Sequence, residues 1–113
     1  HSMTVQVPIE TRQGVHNVPI SSIIMVEAQG KKVIVHTTAR DYESIHTMQY
    51  WLDQLPVNRF FQTHRSFIIN YEHITNFDHM LVHLSNGQFT AYLTKRKYSA
   101  FKGAYLLYLE STR

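Results

Sequence analysis

Near its middle the chain reads Phe60-Phe61-Gln62-Thr63-His64-Arg65-Ser66-Phe67-Ile68-Ile69-Asn70. Apolar residues at both ends of this segment can anchor it in a core, and four consecutive polar residues interrupt the apolar run. This pattern predicts a rigid loop that carries hydrogen-bond donors. Arg65 can form two parallel hydrogen bonds with guanine or with phosphate, and the hydroxyls of Thr63 and Ser66 suit phosphate oxygens. A buried pair of His64 and Arg65 that braces two strands is equally compatible with these residues.

A second polar segment, Thr94-Lys95-Arg96-Lys97, lies where the pattern changes from a strand to a helix. Free backbone N–H groups and the helix dipole favour an anion at such a helix start. Cations there are unfavourable for the helix alone, so an anionic partner would account for them. We therefore expect all four residues to belong to an anion-binding surface. A solvated helix start is the alternative.

A third polar segment, Gln29-Gly30-Lys31-Lys32, has the composition of a tight turn between two strands. The side chains of Lys31 and Lys32 can contact phosphates, and the Gln29 amide can pair with the N6 and N7 atoms of adenine. A plain hairpin turn with surface lysines is at least as compatible with these residues alone.

The remaining sequence predicts several short strands, because apolar residues alternate with polar ones or are β-branched. We place these strands at residues 4–11, 15–20, 23–28, 33–38, 42–44, 74–77, 80–84 and 88–93. Asn86 and Gly87 both tolerate a positive φ angle, and together they predict a tight hairpin turn. The number of short strands indicates a mainly-β fold.

Two segments have the periodicity of helices. The first is expected from Ile45 to Leu55, with Ser44 as its N-cap and Pro56 ending it. Its predicted apolar face consists of Ile45, Met48, Leu52 and Leu55. The second helix is expected from about Lys95 to Leu109, and its predicted aromatic face consists of Tyr98, Phe101, Tyr105 and Tyr108.

The composition is that of one folded domain of 113 residues, of which 43% are hydrophobic. Residues 1–3, His-Ser-Met, resemble the remnant of a tag, so we interpret residues 4–113 as a single domain. There is no cysteine, which excludes disulfides and thiol catalysis and suits a reducing, cytoplasmic compartment. No run of 18 apolar residues occurs, so we expect no membrane-spanning helix.

Neither an enzyme nor a cofactor or metal site is predicted. The carboxylates are scattered, and the motifs of hydrolases, P-loops and dinucleotide-binding folds are absent from the sequence. His79 and His83 lie four residues apart with His73 nearby, which on a helix would suit zinc. On the strand predicted here, residues four apart are roughly 13 Å from each other, so we expect no chelation.

The three polar segments together resemble a known family, the LytTR-type DNA-binding domain of bacterial response regulators. The most specific match is the segment 60–70, with an aromatic start, a His-Arg-Ser-Phe core and a closing Asn70. The segment 23–28 resembles the Ile-x-Tyr-Ile-Glu strand of the family, with Met25 and Val26 in place of the usual pair.

The resemblance continues after the predicted hairpin turn. Asn86-Gly87 followed by Thr94-Lys95-Arg96 is similar to the family's Asn-Gly strand that leads to a Ser-Arg-Arg element. Thr94 and Lys95 replace Ser and Arg at the first two positions. A lysine can still contact a phosphate but lacks the planar, two-pronged geometry of arginine.

The resemblance implies an elongated stack of small antiparallel β-sheets with one short helix and a C-terminal helix. It implies binding to imperfect direct repeats in promoter DNA, with loops that enter successive major grooves. By position, Gln29, Arg65 beside His64, and the segment Thr94–Arg96 would contact DNA, with Lys31, Lys32 and Lys97 holding phosphates. It further implies a receiver domain upstream of this chain, although some members of the family follow membrane segments or stand alone. We expect a lone domain of this size to dimerise only on repeated half-sites.

Two other functions fit parts of the sequence. The first is a single-stranded nucleic-acid binder built on a β-barrel, which would use exposed aromatic residues as stacking platforms. The second is a protein-interaction module that uses the aromatic face of the second helix. Salt dependence separates them from each other, because phosphate contacts make affinity fall steeply as salt rises.

Overall fold

The computed structural model describes residues 5–112, which form ten strands and two α-helices. The strands are β1 Gln6–Thr11, β2 Gly14–Pro19, β3 Ile23–Gln29, β4 Lys32–Thr37, β5 Asp41–Ser44, β6 Phe60–His64, β7 Phe67–Asn70, β8 Ile74–Phe77, β9 Leu81–Leu84 and β10 Phe89–Tyr92. The helices are α1 Met48–Gln54 and α2 Tyr98–Ser111. Single 3-10 turns occupy Ile20–Ser22, Tyr71–His73 and Lys95–Lys97. The predicted tag residues 1–3 lie outside the described residues.

The strands form three antiparallel sheets, as the mainly-β prediction requires. A central sheet has the strand order β5-β4-β3-β7-β6, while β1 pairs with β2 and β9 pairs with both β8 and β10. Successive residues of a strand point to opposite faces of its sheet. In β7, Ile68 packs in one core cluster, and its neighbours Phe67 and Ile69 pack in another. The central sheet is therefore covered on both faces.

The first core lies between the central sheet, the β1-β2 hairpin and α1. It includes Ile9 of β1, Val26 of β3 and Trp51 of α1, all of which are completely buried. The Trp51 indole Nε1 donates a hydrogen bond to Ser44 Oγ over 3.0 Å. This bond attaches α1 to the end of β5.

The second core lies between the other face of the central sheet, the three-stranded sheet and α2. Phe101 is completely buried in it, and Tyr98, Tyr105 and Tyr108 are partly buried against it. The predicted aromatic face of the C-terminal helix is confirmed, and it packs inward on the core of the domain.

The structure corrects the start of the first helix. The helix begins at Met48 rather than Ile45, and its N-cap is Thr47, whose Oγ1 accepts a hydrogen bond from the Tyr50 N–H. Ser44 is not the N-cap, because the chain becomes helical only at Met48; the Ser44 hydroxyl accepts the His46 N–H and the Trp51 indole N–H at the end of β5. Ile45 is 56% exposed and its backbone N–H donates to the carbonyl of Glu10, so it does not belong to the apolar face.

Two further boundaries differ from the prediction. The C-terminal α-helix begins at Tyr98, after a separate 3-10 turn over Lys95–Lys97. The β9-β10 connection has four residues, 85–88, rather than a two-residue turn. Asn86 and Gly87 have the expected positive φ angles of 57° and 86°, and Ser85 has one as well.

Candidate nucleic-acid interface

The fold brings the three polar segments to one end of the central sheet. β3 and β7 are antiparallel neighbours, with Glu27 opposite Phe67 and the Ala28 N–H bonded to the Ser66 carbonyl over 2.9 Å. The β3-β4 turn and the β6-β7 turn therefore lie side by side. The Thr94 N–H donates to the Thr63 carbonyl over 3.0 Å, which places the Lys95–Lys97 turn beside the same end of β6. We call this end of the molecule, formed by residues 29–32, 64–66 and 95–97, the cationic end.

The β6-β7 turn is fixed by the His64 side chain. His64 Nδ1 accepts a hydrogen bond from the Ser66 N–H over 3.0 Å, so a neutral ring carries its proton on Nε2. The ring also packs against Phe67 and Tyr92, with centroids 5.8 and 5.9 Å away. Arg65 is exposed, and its backbone carbonyl accepts a hydrogen bond from Gln62 Nε2 over 3.5 Å. Its guanidinium makes no hydrogen bond or ion pair with any of the described residues. His64 thus braces the turn without Arg65, whose guanidinium is available to a partner.

Three predicted site residues instead hold the Lys95–Lys97 turn against β6. Thr63 is completely buried, so its hydroxyl is not presented to a partner as the sequence suggested. Within residues 5–112, the buried hydroxyls of Thr63 and Thr94 have no hydrogen-bond partner. Lys97 Nζ donates to the Gln62 carbonyl over 3.0 Å. Burial lowers the pKa of the Lys97 ammonium, and the neighbouring charge of Arg96 lowers it further.

The β3-β4 turn presents two exposed lysines, Lys31 and Lys32. Gly30 has a φ angle of +63°, in the left-handed region that glycine adopts without a steric penalty. Gln29 is also exposed, but its Nε2 donates to Glu27 Oε1 over 3.2 Å. Its amide is therefore held by the protein before any base could contact it.

A side-chain network that the sequence analysis missed runs from Gln29 of this turn along the central sheet to β5. His36 Nε2 lies 2.8 Å from Glu27 Oε1, and His36 Nδ1 lies 2.7 Å from Asp41 Oδ1. His36 is only 6% exposed, so its ring links the carboxylates of β3 and β5 below the surface. The signal was available in principle, because hairpin register places Glu27 and His36 on one face of the sheet.

The cationic end has the electrostatic character of a polyanion site. Lys31, Lys32, Arg65, Lys95 and Arg96 are all exposed, and none forms an ion pair with another of the described residues. Clustered cations without acidic partners attract a polyanion and accelerate its association. This arrangement suits the phosphates of a nucleic acid.

The histidines outside this end have local roles. His73 Nε2 lies 2.6 Å from the Ser21 carbonyl oxygen, and the His79 ring stacks on Tyr98 at a centroid distance of 4.1 Å. In the part of the chain that the structure describes, no three His, Asp or Glu residues are grouped closely enough to hold a metal ion. Over the same residues, neither helix has the length and apolar character to cross a membrane.

The layered β-sheets and the cationic end without ion pairs among the described residues place this domain in the class of nucleic-acid-binding modules. Comparison with known proteins then identifies its family. The family model described as "LytTr DNA-binding domain" matches residues 13–105. The chain therefore belongs to the LytTr family of DNA-binding domains. The resemblance found in the sequence is confirmed.

Individual relatives agree with this assignment. A solved LytTr DNA-binding domain from Bacillus cereus superimposes with a TM-score of 0.74 at 27% identity, covering 91% of this chain and 97% of that one. The Sensory transduction protein LytR of Staphylococcus epidermidis is 31% identical over 72 residues, or 64% of this chain and 29% of the relative. The Transcriptional regulatory protein NatR of Bacillus subtilis is 28% identical over 109 residues, or 92% of this chain and 47% of the relative. The chain spans less than half the length of these two curated relatives.

Proposed function

We propose that this domain binds duplex promoter DNA in a sequence-specific way through the cationic end, as the output domain of a longer transcription regulator. The observation that carries the proposal is the convergence of three turns with five exposed, unpaired cations at one end of a rigid sheet. The central sheet is packed on both faces, so these turns project from a fixed base.

The side chains divide into four roles. Arg65 reads a base or fixes the register on the duplex, because its two-pronged guanidinium is free and matches the O6 and N7 atoms of guanine. Lys31, Lys32, Lys95 and Arg96 bind phosphates, which adds affinity without sequence preference. His64, Thr63, Thr94 and Lys97 hold the turns in place, and Gln29 and Ser66 contact DNA from positions already fixed by hydrogen bonds.

We further propose that the two turns of the central sheet enter successive major grooves of imperfect direct repeats. Dimerisation would then occur on repeated half-sites of the DNA. The relatives are more than twice as long as their matched regions, which supports a further domain in the full regulator, and we propose that this is an upstream receiver domain. Residues 4–113 then form the single DNA-binding domain, with residues 1–3 as a tag remnant.

A selection from a random duplex library tests this proposal. We expect the bound pool to converge on two short direct repeats. A folded protein that enriches no duplex sequence would overturn sequence-specific recognition by this domain. A pool that converges on a single uninterrupted site would leave specific binding intact and overturn the direct repeats.

The two alternative functions are tested in the same format. Most aromatic side chains pack in the second core, which leaves few stacking platforms for a single strand. The same packing removes the aromatic face of α2 as a protein-binding surface. We expect an unlabelled single strand to compete at least tenfold more weakly than the selected duplex, and equal competition would favour the single-strand alternative.

A further inference from the structure

A cavity of about 510 Å³ lies between α1, β6 and α2, on the side of the domain next to the Lys95–Lys97 turn. Its walls are almost entirely apolar, with Leu52 from α1, Phe60 from β6 and Ala104 from α2. Val57, which is 85% exposed, lies at its opening. The volume falls in the range of sites that hold small molecules, and such sites are mostly apolar with a few polar groups that orient the ligand.

The cavity exists because α2 presents two small side chains to it. Ala100 and Ala104 are four residues apart, so they lie one above the other on the same face of the helix. Larger residues at these positions would fill the space between α2 and the end of α1. The gap is therefore set by side-chain size and can be closed by substitution.

Among the described residues that line the cavity, Lys97 is the one with a charged side chain. Its ammonium has three donors, and the Gln62 carbonyl accepts one of them. None of the described residues that line the cavity is Asp or Glu, so no carboxylate neutralises the charge there. Tyr71 adds no negative charge either, because burial raises the pKa of its hydroxyl to about 12.

We propose that this cavity binds an apolar monocarboxylic acid, with the hydrocarbon part against the α1, β6 and α2 walls and the carboxylate on the Lys97 ammonium. A partly buried cation without a counter-ion is unfavourable, and a charge-assisted hydrogen bond to a carboxylate would offset that cost. The apolar walls would remove the hydrocarbon chain from water. The cavity is distinct from the DNA contacts but shares Lys97 with the turn that carries Lys95 and Arg96.

Decanoate is the probe, and decan-1-ol is its uncharged control of equal chain length. We expect saturable binding of one decanoate per chain by calorimetry, with amide shift changes centred on Leu52, Phe60 and Ala104 in NMR spectra. Decanol should bind at least about tenfold more weakly, because it lacks the charge-assisted contact. Equal affinity of the two probes, non-saturable binding, or shift changes at another surface would overturn the proposal.

Two pairs of variants locate the site. Lys97→Met should reduce decanoate affinity to that of decanol, whereas Lys95→Met, the matched loss of an exposed lysine outside this cavity, should leave it unchanged. Ala104→Leu should exclude both probes while the domain stays folded, and Ala100→Leu serves the same purpose if Ala104→Leu disturbs packing. Full decanoate binding by a folded cavity-filling variant would overturn the assignment.

A regulatory consequence rests on the proposed DNA binding. A bound carboxylate adds a negative charge beside the Lys95–Lys97 turn, so saturating decanoate should weaken duplex binding severalfold, and more at low salt. The Ala104→Leu variant should bind DNA normally and ignore decanoate. Decanoate binding without any effect on DNA affinity would overturn this regulation, whereas a protein that binds decanoate but no DNA would overturn the proposed function alone.

Discussion

The β3-β4 turn and the β6-β7 turn occupy the same end of one sheet, but they are held in different ways. The first depends on the left-handed backbone of Gly30 and on a network of side chains that joins Gln29 to Glu27 and His36. The second has no residue with a positive φ angle and is held by two hydrogen bonds at Ser66, one from its N–H to His64 and one to its carbonyl from Ala28.

The difference decides which side chains remain free. In the β3-β4 turn the amide of Gln29 is already bonded, and only the two lysines are without partners among the described residues. In the β6-β7 turn the bonds that hold the turn come from the His64 ring and from the backbone, so all the N–H donors of the Arg65 guanidinium are available. We therefore expect the second turn to supply sequence preference and the first to supply mainly affinity.

The largest change in stability is expected from breaking the side-chain network that runs from the β3-β4 turn to β5. Replacing His36→Ala removes the ring that joins Glu27 to Asp41 and leaves the partly buried Glu27 carboxylate without this donor, so the free energy of unfolding should fall by about 2–4 kcal/mol. Urea titration measures this change. His83→Ala, on a strand away from the network, is the control and should cost less than about 1 kcal/mol. Similar losses in both variants would mean that the network does not stabilise the fold.

The contrast between the two turns is tested most directly at Arg65. Arg65→Ala should remove about 1–3 kcal/mol of discrimination between the selected duplex and a scrambled one, in addition to lowering affinity. Lys31→Ala removes one positive charge from the β3-β4 turn and should lower the affinity for both duplexes equally. Fluorescence anisotropy at fixed salt gives the four affinities. A uniform loss in Arg65→Ala as well would rule out base reading by this residue.

A smaller effect is expected at Gly30. The space around its Cα is open, with nothing within 4 Å of an added Cβ, so Gly30→Ala meets only the penalty of a φ angle of +63°. This should cost about 1 kcal/mol of stability. The preference for the selected duplex should not change, because we propose that this turn contacts phosphates. A changed preference, measured by the same anisotropy assay, would show that the β3-β4 turn also reads bases.

The sequence predicts eight of the ten strands and the aromatic face of α2, because those features repeat along the chain at the period of their own element. It does not predict β6 and β7, because the segment 60–70 was interpreted as an anchored loop. It mispredicts the start of α1 because both Ser44 and Thr47 can cap a helix. In the fold, Thr47 caps the helix, and Ser44 accepts the Trp51 indole N–H, a contact that exists only when α1 packs on the sheet. Local periodicity carries no information about that contact.

The sequence predicted which residues lie at the cationic end, but it did not predict which of them are exposed and which hold the turns in place. Thr63 looks like part of an exposed loop, yet the β6-β7 register shifts between Gln62 and His64, and Thr63 is buried at that irregularity. Strict alternation cannot reveal such a shift. The network of Glu27, His36 and Asp41 joins three strands, so it depends on two registers at once.

The smallest expected effect is a difference in the salt dependence of DNA binding between two lysines of the Lys95–Lys97 turn. Lys95 is exposed, so Lys95→Ala should lower the slope of log affinity against log salt by about 1, the loss of one phosphate contact. Lys97→Ala should change the slope less, because its ammonium is bonded to the Gln62 carbonyl and partly buried. Binding measured at several salt concentrations gives both slopes. If Lys97→Ala lowers the slope as much as Lys95→Ala does, then Lys97 contacts a phosphate, as its position in the sequence suggested, and its bond to Gln62 yields when DNA binds.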